Sequence, residues 1–282
     1  MAARACWSRS AVVIDSHVHL FPDRVFAAIW RWFDKHAWNI KYRMRAEEVV
    51  EFLTARGVGR MVALLYSHRP DMARALNRFM AEIARAHPQV VPFGTVLPGE
   101  PDAEAIVDEA FGPLGMRGLK LHCHVQAIAP DDPRLDPIYA RAADAGLPVI
   151  VHSGRTPMTT GYRVDPATLC SVEATRRMLR RHPRLKMVVP HLGADEIAAH
   201  FALLGEHENL YLDTTMLVGG FIAPPPDVAL LETHSNRILY GTDFPNVPYE
   251  WSLELDWLRA AALSDAARAR ILADNARALF GD

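Results

Sequence analysis

The stretch Ala11-Val12-Val13-Ile14-Asp15-Ser16-His17-Val18-His19-Leu20 decides how the rest of the chain is read. Four apolar residues lead into two histidines placed two positions apart. Side chains alternate faces along a strand, so His17 and His19 point the same way. Two imidazoles on one face of a buried strand are costly unless something binds them, and a metal ion is the simplest occupant. Alone, the pattern fits an exposed strand equally well, and the remainder of the chain decides between the two.

Working outward, short apolar runs alternate with helical patterns along the whole sequence. The strands read as Val12 to Leu20, Arg60 to Tyr66, Val90 to Leu97, Gly118 to His122, Pro148 to His152, Leu185 to His191, Leu210 to Thr214 and Arg237 to Thr242. Helical spacing marks Ala46 to Ala55, Pro70 to Ala86, Pro133 to Ala145, Pro166 to Arg181 and Ala194 to Gly205. Strands alternating with helices imply parallel strands joined by right-handed crossovers. Eight such units predict an α/β fold, a closed (β/α)8 TIM barrel over residues 1–282 as one domain. An insertion, Asp23 to Trp38, comes after strand one and carries Phe26, Trp30, Trp32, Phe33 and Trp38. It reads as an added helix on the barrel top, with a lid or partner surface as the alternative.

Composition narrows the function classes. The chain has 282 residues, half of them hydrophobic, which is ample for one large core. A net charge of -2 implies no nucleic-acid surface. No run reaches the roughly 18 apolar residues of a membrane helix. Met1 to Ser10 carries charge and no apolar core, so it does not read as a signal peptide. Cys6, Cys123 and Cys170 are odd in number and scattered, which fits neither a disulfide framework nor a Cys-x-x-Cys metal knuckle, and a reducing cytoplasm is expected. Self-association is left open.

The expected strand ends are polar. His17 and His19 end strand one, Lys120 and His122 strand four, His152 strand five, His191 strand six and Asp243 strand eight. In a barrel these ends converge on one mouth, where catalytic groups sit. A lone histidine at a strand end is more often a hydrogen-bonded rim residue; the coincidence at one end argues for a site. His17, His19, His152 and Asp243 stand out as ligands for one divalent ion. Three imidazoles and a carboxylate suit Zn²⁺, with Mn²⁺, Fe²⁺, Co²⁺ and Ni²⁺ also accommodated. Such an ion lowers the pKa of its water to about 7, and Asp243 and His191 are the groups placed to move the proton.

With these residues in view, the chain resembles the amidohydrolase superfamily. The resemblance rests on Asp15-Ser16-His17-Val18-His19, Gly118-Leu119-Lys120-Leu121-His122, Pro148 to Gly154, His191-Leu192-Gly193 and Tyr240-Gly241-Thr242-Asp243-Phe244-Pro245. It is most similar to the branch of metal-dependent TIM-barrel hydrolases that includes relatives of aminocarboxymuconate-semialdehyde decarboxylase. The resemblance implies that His17, His19 and His152 bind the metal, that Asp243 binds it or holds its water as base, and that His191 orients the water or polarises the substrate. It implies supporting roles for Asp15 and Thr242. In binuclear members a carboxylated lysine bridges two metals. Lys120 fits that position, but the single-metal branch favours an unmodified Lys120 that neutralises site carboxylates or binds an anion. His122 is a substrate contact in this reading.

Hydrolysis of an amide, ester or lactone is the favoured expectation. Its alternatives are metal-dependent decarboxylation of an unsaturated or aromatic acid and, more remotely, a non-catalytic ligand-binding barrel. The substrate is expected to be a small molecule bearing a carboxylate. His68, Arg69 and Arg155 come after strands two and five and are the candidate contacts, since arginine matches a carboxylate by paired hydrogen bonds.

Overall fold

The computed structural model describes residues 12–281. Met1 to Ser10 and Cys6, read above from sequence, lie outside the described residues. Eight parallel strands run in chain order: β1 (Val13–His19), β2 (Val58–Leu64), β3 (Val90–Pro92), β4 (Leu119–His122), β5 (Val149–His152), β6 (Met187–Val189), β7 (Leu210–Asp213) and β8 (Ile238–Leu239). The strands β1-β2-β3 and β4-β5-β6-β7-β8 form two ladders. Parallel bridges join them at both seams, Gly94 to Leu119 and Val18 to Phe244. Backbone bonds reinforce each seam: Lys120 N donates to Gly94 O at 2.8 Å, and His19 N to Phe244 O at 2.8 Å. The sheet therefore closes into the expected TIM barrel.

The barrel floor is apolar. Ile14, Val62, Leu64, Val91, Phe93, Ile150, Val188 and Leu239 form one buried cluster, sealed by Leu279 and Phe280 of the last helix. A strict alternation from Ile14 would send His17 and His19 away from this interior. The β1–β2 register is irregular between Asp15 and Val18. That irregularity re-aims both histidines toward the mouth, as bulges next to active sites do.

Several boundaries differ from the sequence reading. The helix expected from Pro70 starts at Ala73, because Asp71 is left-handed at φ 65°. Pro166 to Arg181 splits into Pro166–Leu169 and Val172–Arg181: Cys170 is extended, and Ser171 caps the second helix by accepting from Ala174 N. Strand six stops at Val189, two residues before His191. The helix expected from Ala194 starts at Ile197, since His191 to Ala194 all have positive φ. The insertion after β1 forms helix α1 (Asp23–His36). It is tied across the mouth by Trp32 Nε1 donating to Gly161 O at 3.2 Å, and the neighbouring Trp38 Nε1 donates to Asn246 O at 2.8 Å. No described helix is long and apolar enough to cross a membrane.

Candidate metal centre

The C-terminal strand ends bring His17, His19 and Asp243 together, with one ligand atom from each within 4.8 Å of the others. His19 Nε2 lies 2.9 Å from Asp243 Oδ1, and His17 Nε2 lies 3.5 Å from the same oxygen. His152 falls instead within a second set, His122, His124 and His152, that meets the same distance. The two sets meet through His191, whose Nε2 is 3.3 Å from His152 Nδ1.

Hydrogen bonds fix most of the tautomers. A carbonyl only accepts, so His191 Nδ1 donates to Thr215 O at 3.0 Å and its Nε2 is left as a lone pair. His152 Nε2 likewise donates to Thr156 O at 2.9 Å, leaving Nδ1 bare. Two bare nitrogens thus face each other at 3.3 Å. Zinc–nitrogen bonds of about 2.0–2.1 Å in a tetrahedral shell put two ligand atoms roughly that far apart. His17 Nδ1 donates to Asp213 Oδ2 at 2.8 Å, which turns Nε2 toward Asp243. His19 Nδ1 is buried with no partner among the described residues. The facing lone pairs of His191 and His152 fit a cation.

The electrostatics agree. Burial pushes His17, His122 and His152 well below the usual imidazole range and lowers His191 too, which keeps the rings neutral as ligands must be. Burial alone would raise the Asp243 carboxyl. The hydrogen bond with His19 and the electrostatic pull of the surrounding imidazoles outweigh it and hold Asp243 well below the ordinary carboxylate range. Lys120 is fully buried with Nζ 3.3 Å from His17 Nε2, and burial pushes it down to about 8. It sits where an ammonium offsets Asp243 and Asp213, the two carboxylates that act on it.

Local backbone geometry serves the same end. His191 and Asp243 are both left-handed, at φ 58° and 67°. For non-glycine residues this conformation costs of order 1–3 kcal/mol each and clusters at functional sites. Gly193 permits the turn after β6, because a Cβ there would lie 2.1 Å from His200 Nδ1. Gly241 admits β1 alongside, since its Cβ would stand 2.8 Å from that of His17. Asp15 accepts from Thr242 Oγ1 at 2.6 Å and from His17 N at 3.1 Å, so the two expected supporting residues bind each other and brace β1.

A cleft, partly open to solvent, lies above this cluster. Its floor is His19, His122, His152, His191 and Asp243, and its walls include Phe33, Trp38, Tyr66 and Tyr162. Among the described residues, no lysine or arginine lines it. His68 and Arg69 are exposed and do not line it. Arg155 does not line it either and pairs with Asp195 at 2.7 Å. The sequence reading passed over Asp213 and His124. Asp213 ends β7 after apolar residues, so the strand-end rule that picked out the others was sufficient to find it. His124 lies in the short helix after β4 and gave no such signal.

The sequence profile of the amidohydrolase family matches residues 14–281. Gamma-resorcylate decarboxylase of Rhodococcus jostii is 25% identical over 256 residues, covering 74% of this chain and 76% of that protein. A probable carboxypeptidase of Aspergillus niger is 26% identical over 185 residues, covering 60% of this chain but only 44% of that protein. Among solved structures, 5-carboxyvanillate decarboxylase of Sphingomonas paucimobilis superposes with a TM-score of 0.67 at 18% identity, covering 96% of this chain and 99% of that one. At that identity the likeness speaks for the fold.

Proposed function

The chain belongs to the amidohydrolase family, and within it we propose a divalent-metal-dependent, non-oxidative decarboxylase of a small hydroxylated aromatic acid. The observation that carries the reading is the cleft itself. Four aromatic side chains, Phe33, Trp38, Tyr66 and Tyr162, wall a space above a floor of histidines and one aspartate. Aromatic walls suit a planar ring, since aromatic pairs gain about 0.5–1.5 kcal/mol beyond area burial. The resorcylate decarboxylase, whose substrate by name is an aromatic acid, matches about three-quarters of each chain. That support shifts the weight from hydrolysis, the favoured expectation from sequence, to its alternative.

His17, His19 and Asp243 would hold the ion, with His152 reaching it from the side of His191. Zinc and manganese both suit this mixture of imidazole and carboxylate. When bound, the ion acts as a Lewis acid on the substrate's oxygens. No lysine or arginine is among the described residues that line the cleft, so the ion would serve as the positive partner of the substrate carboxylate. Asp243 and His191 manage the proton. They would take the proton of the substrate's ring hydroxyl and deliver it to the ring carbon bearing the carboxylate; the carbon–carbon bond then breaks, its electron pair returns through the ring to that oxygen, and carbon dioxide leaves. Trp38 and Phe33 line the cleft and would pack against the substrate ring.

Hydrolysis remains the second reading, favoured by the carboxypeptidase likeness over 185 residues. The test is a panel of hydroxybenzoates, N-acyl amides and lactones offered to metal-loaded protein. Release of carbon dioxide from a hydroxybenzoate supports decarboxylation, and turnover of only amides or lactones rejects it.

A further inference from the structure

The wall of the cleft holds a polar side chain that the proposed chemistry does not use. Asn246 ends the turn Asp243-Phe244-Pro245-Asn246 that follows β8, and it is 2% exposed. It lines the cleft together with Asp243, His19 and Trp38. Its backbone is pinned on both sides: Asn246 N donates to Asp243 O at 2.9 Å, and Asn246 O accepts from Trp38 Nε1 at 2.8 Å. The next residue is held as well, since Val247 O accepts from Lys41 N at 3.0 Å. The turn is thus tied to the proposed metal centre at one end and to the segment after α1 at the other.

The carboxamide contrasts with this well-bonded backbone. Asn246 Oδ1 is buried and has no hydrogen-bond partner among the described residues. A buried acceptor left unpaired has lost the hydrogen bonds that water gave it, and native structures rarely tolerate that without a purpose. Oδ1 only accepts, so what it lacks is a donor. The carboxylate of an aromatic acid offers none at neutral pH; a ring hydroxyl does. The carboxamide is also neutral, so it can meet that hydroxyl without repelling the anionic acid.

We propose that Asn246 sets substrate specificity by accepting a hydrogen bond from a second ring hydroxyl, besides the one whose proton moves. The inference rests on the decarboxylase reading and narrows its substrate to an aromatic acid with at least two ring hydroxyls. Asn246 takes no part in bond breaking. With the carboxylate at the ion and the second hydroxyl at Asn246, the ring is fixed at two points. That orientation determines which ring carbon faces Asp243 and His191. An acid without the second hydroxyl leaves Oδ1 unpaired, and a site built around a hydrogen bond discriminates against analogues that cannot make it.

The test reads binding apart from turnover. Metal-loaded protein is titrated by calorimetry with 2-hydroxybenzoate and with the dihydroxybenzoates that add one hydroxyl to it. At least one dihydroxybenzoate should bind about 2- to 13-fold more tightly than 2-hydroxybenzoate, the worth of one neutral hydrogen bond. Asn246→Leu, which keeps the volume and removes the acceptor, should bring that ratio close to one and leave the affinity for 2-hydroxybenzoate near wild type. Asn246→Ala should do the same and guards against a leucine variant that fails to fold, as monitored by thermal melting. A wild type with no preference for any dihydroxybenzoate overturns the assignment, and so does a preference kept in either folded variant. Carbon dioxide release is followed on the same acids. Its absence, with the preference present in wild type and lost in the variants, rejects the decarboxylase reading and leaves the Asn246 contact standing; decarboxylation without the preference overturns Asn246 alone.

Discussion

Asp213 Oδ2 accepts a hydrogen bond from His17 Nδ1 at 2.8 Å, with both residues buried. This bond chooses the His17 tautomer and aims its other nitrogen at the metal position. Asp213 Oδ1 also accepts from the backbone of His191 at 3.0 Å and of Thr215 at 3.1 Å, so one carboxylate orients residues on both sides of the centre. Asp213→Asn should therefore keep the fold and weaken metal affinity by about 10–100-fold, the usual loss for a group that orients a ligand. Competition against a chelator of known affinity measures it, and wild-type affinity would remove Asp213 from the site.

His191 is expected to act on the substrate rather than to retain the metal. His191→Ala should keep most of the bound ion and lose about 10²- to 10⁴-fold in turnover, the range for positioned acid–base groups. Metal analysis and turnover are measured on the same sample. Loss of the ion would make His191 a ligand, as its 3.3 Å contact with His152 also permits.

The barrel was legible from the first strand onward because strands buried on both faces read as unbroken apolar runs. The site was legible for the same reason: a polar residue ending such a run stands out, as His17, His19, His152 and Asp243 do. The register irregularity in β1 was not legible, since it depends on pairing with β2. Nor was the left-handed run His191 to Ala194, which moved His191 off its strand; only Gly193 hinted at it. Arg155 was chosen for its chemistry, but the ion pair that holds it, with Asp195 forty positions away, is a tertiary fact.

Trp38 forms part of the roof of the cleft. Trp38→Ala should raise KM for an aromatic acid roughly 2- to 13-fold, the equivalent of one aromatic contact, with a smaller change in kcat. An unchanged KM would place the substrate elsewhere in the cavity.

Glu254 gives a pH-dependent stability term away from the centre. It is fully buried, accepts from the Tyr249 hydroxyl at 2.8 Å, and is pushed by burial from 4.5 up to about 8. A carboxyl raised in the folded state contributes stability that is intact below its unfolded value and lost as pH rises toward the folded one. Glu254→Gln should thus match wild type near pH 4.5 and gain in Tm relative to it between pH 5 and 8. Thermal melts across that range check it, and a Tm difference independent of pH would contradict it.

The proposed reaction exchanges a carboxylate for a proton on an aromatic ring, and one measurement addresses it most directly. Metal-loaded protein is incubated with 2,6-dihydroxybenzoate and related hydroxybenzoates in D₂O, with carbon dioxide and the ring product quantified together. The expected result, for at least one acid, is one carbon dioxide released per product ring and one deuteron at the carbon that lost it, with both lost in Asp243→Asn. Hydrolysis of amide or lactone substrates, with no carbon dioxide from any aromatic acid, would contradict it.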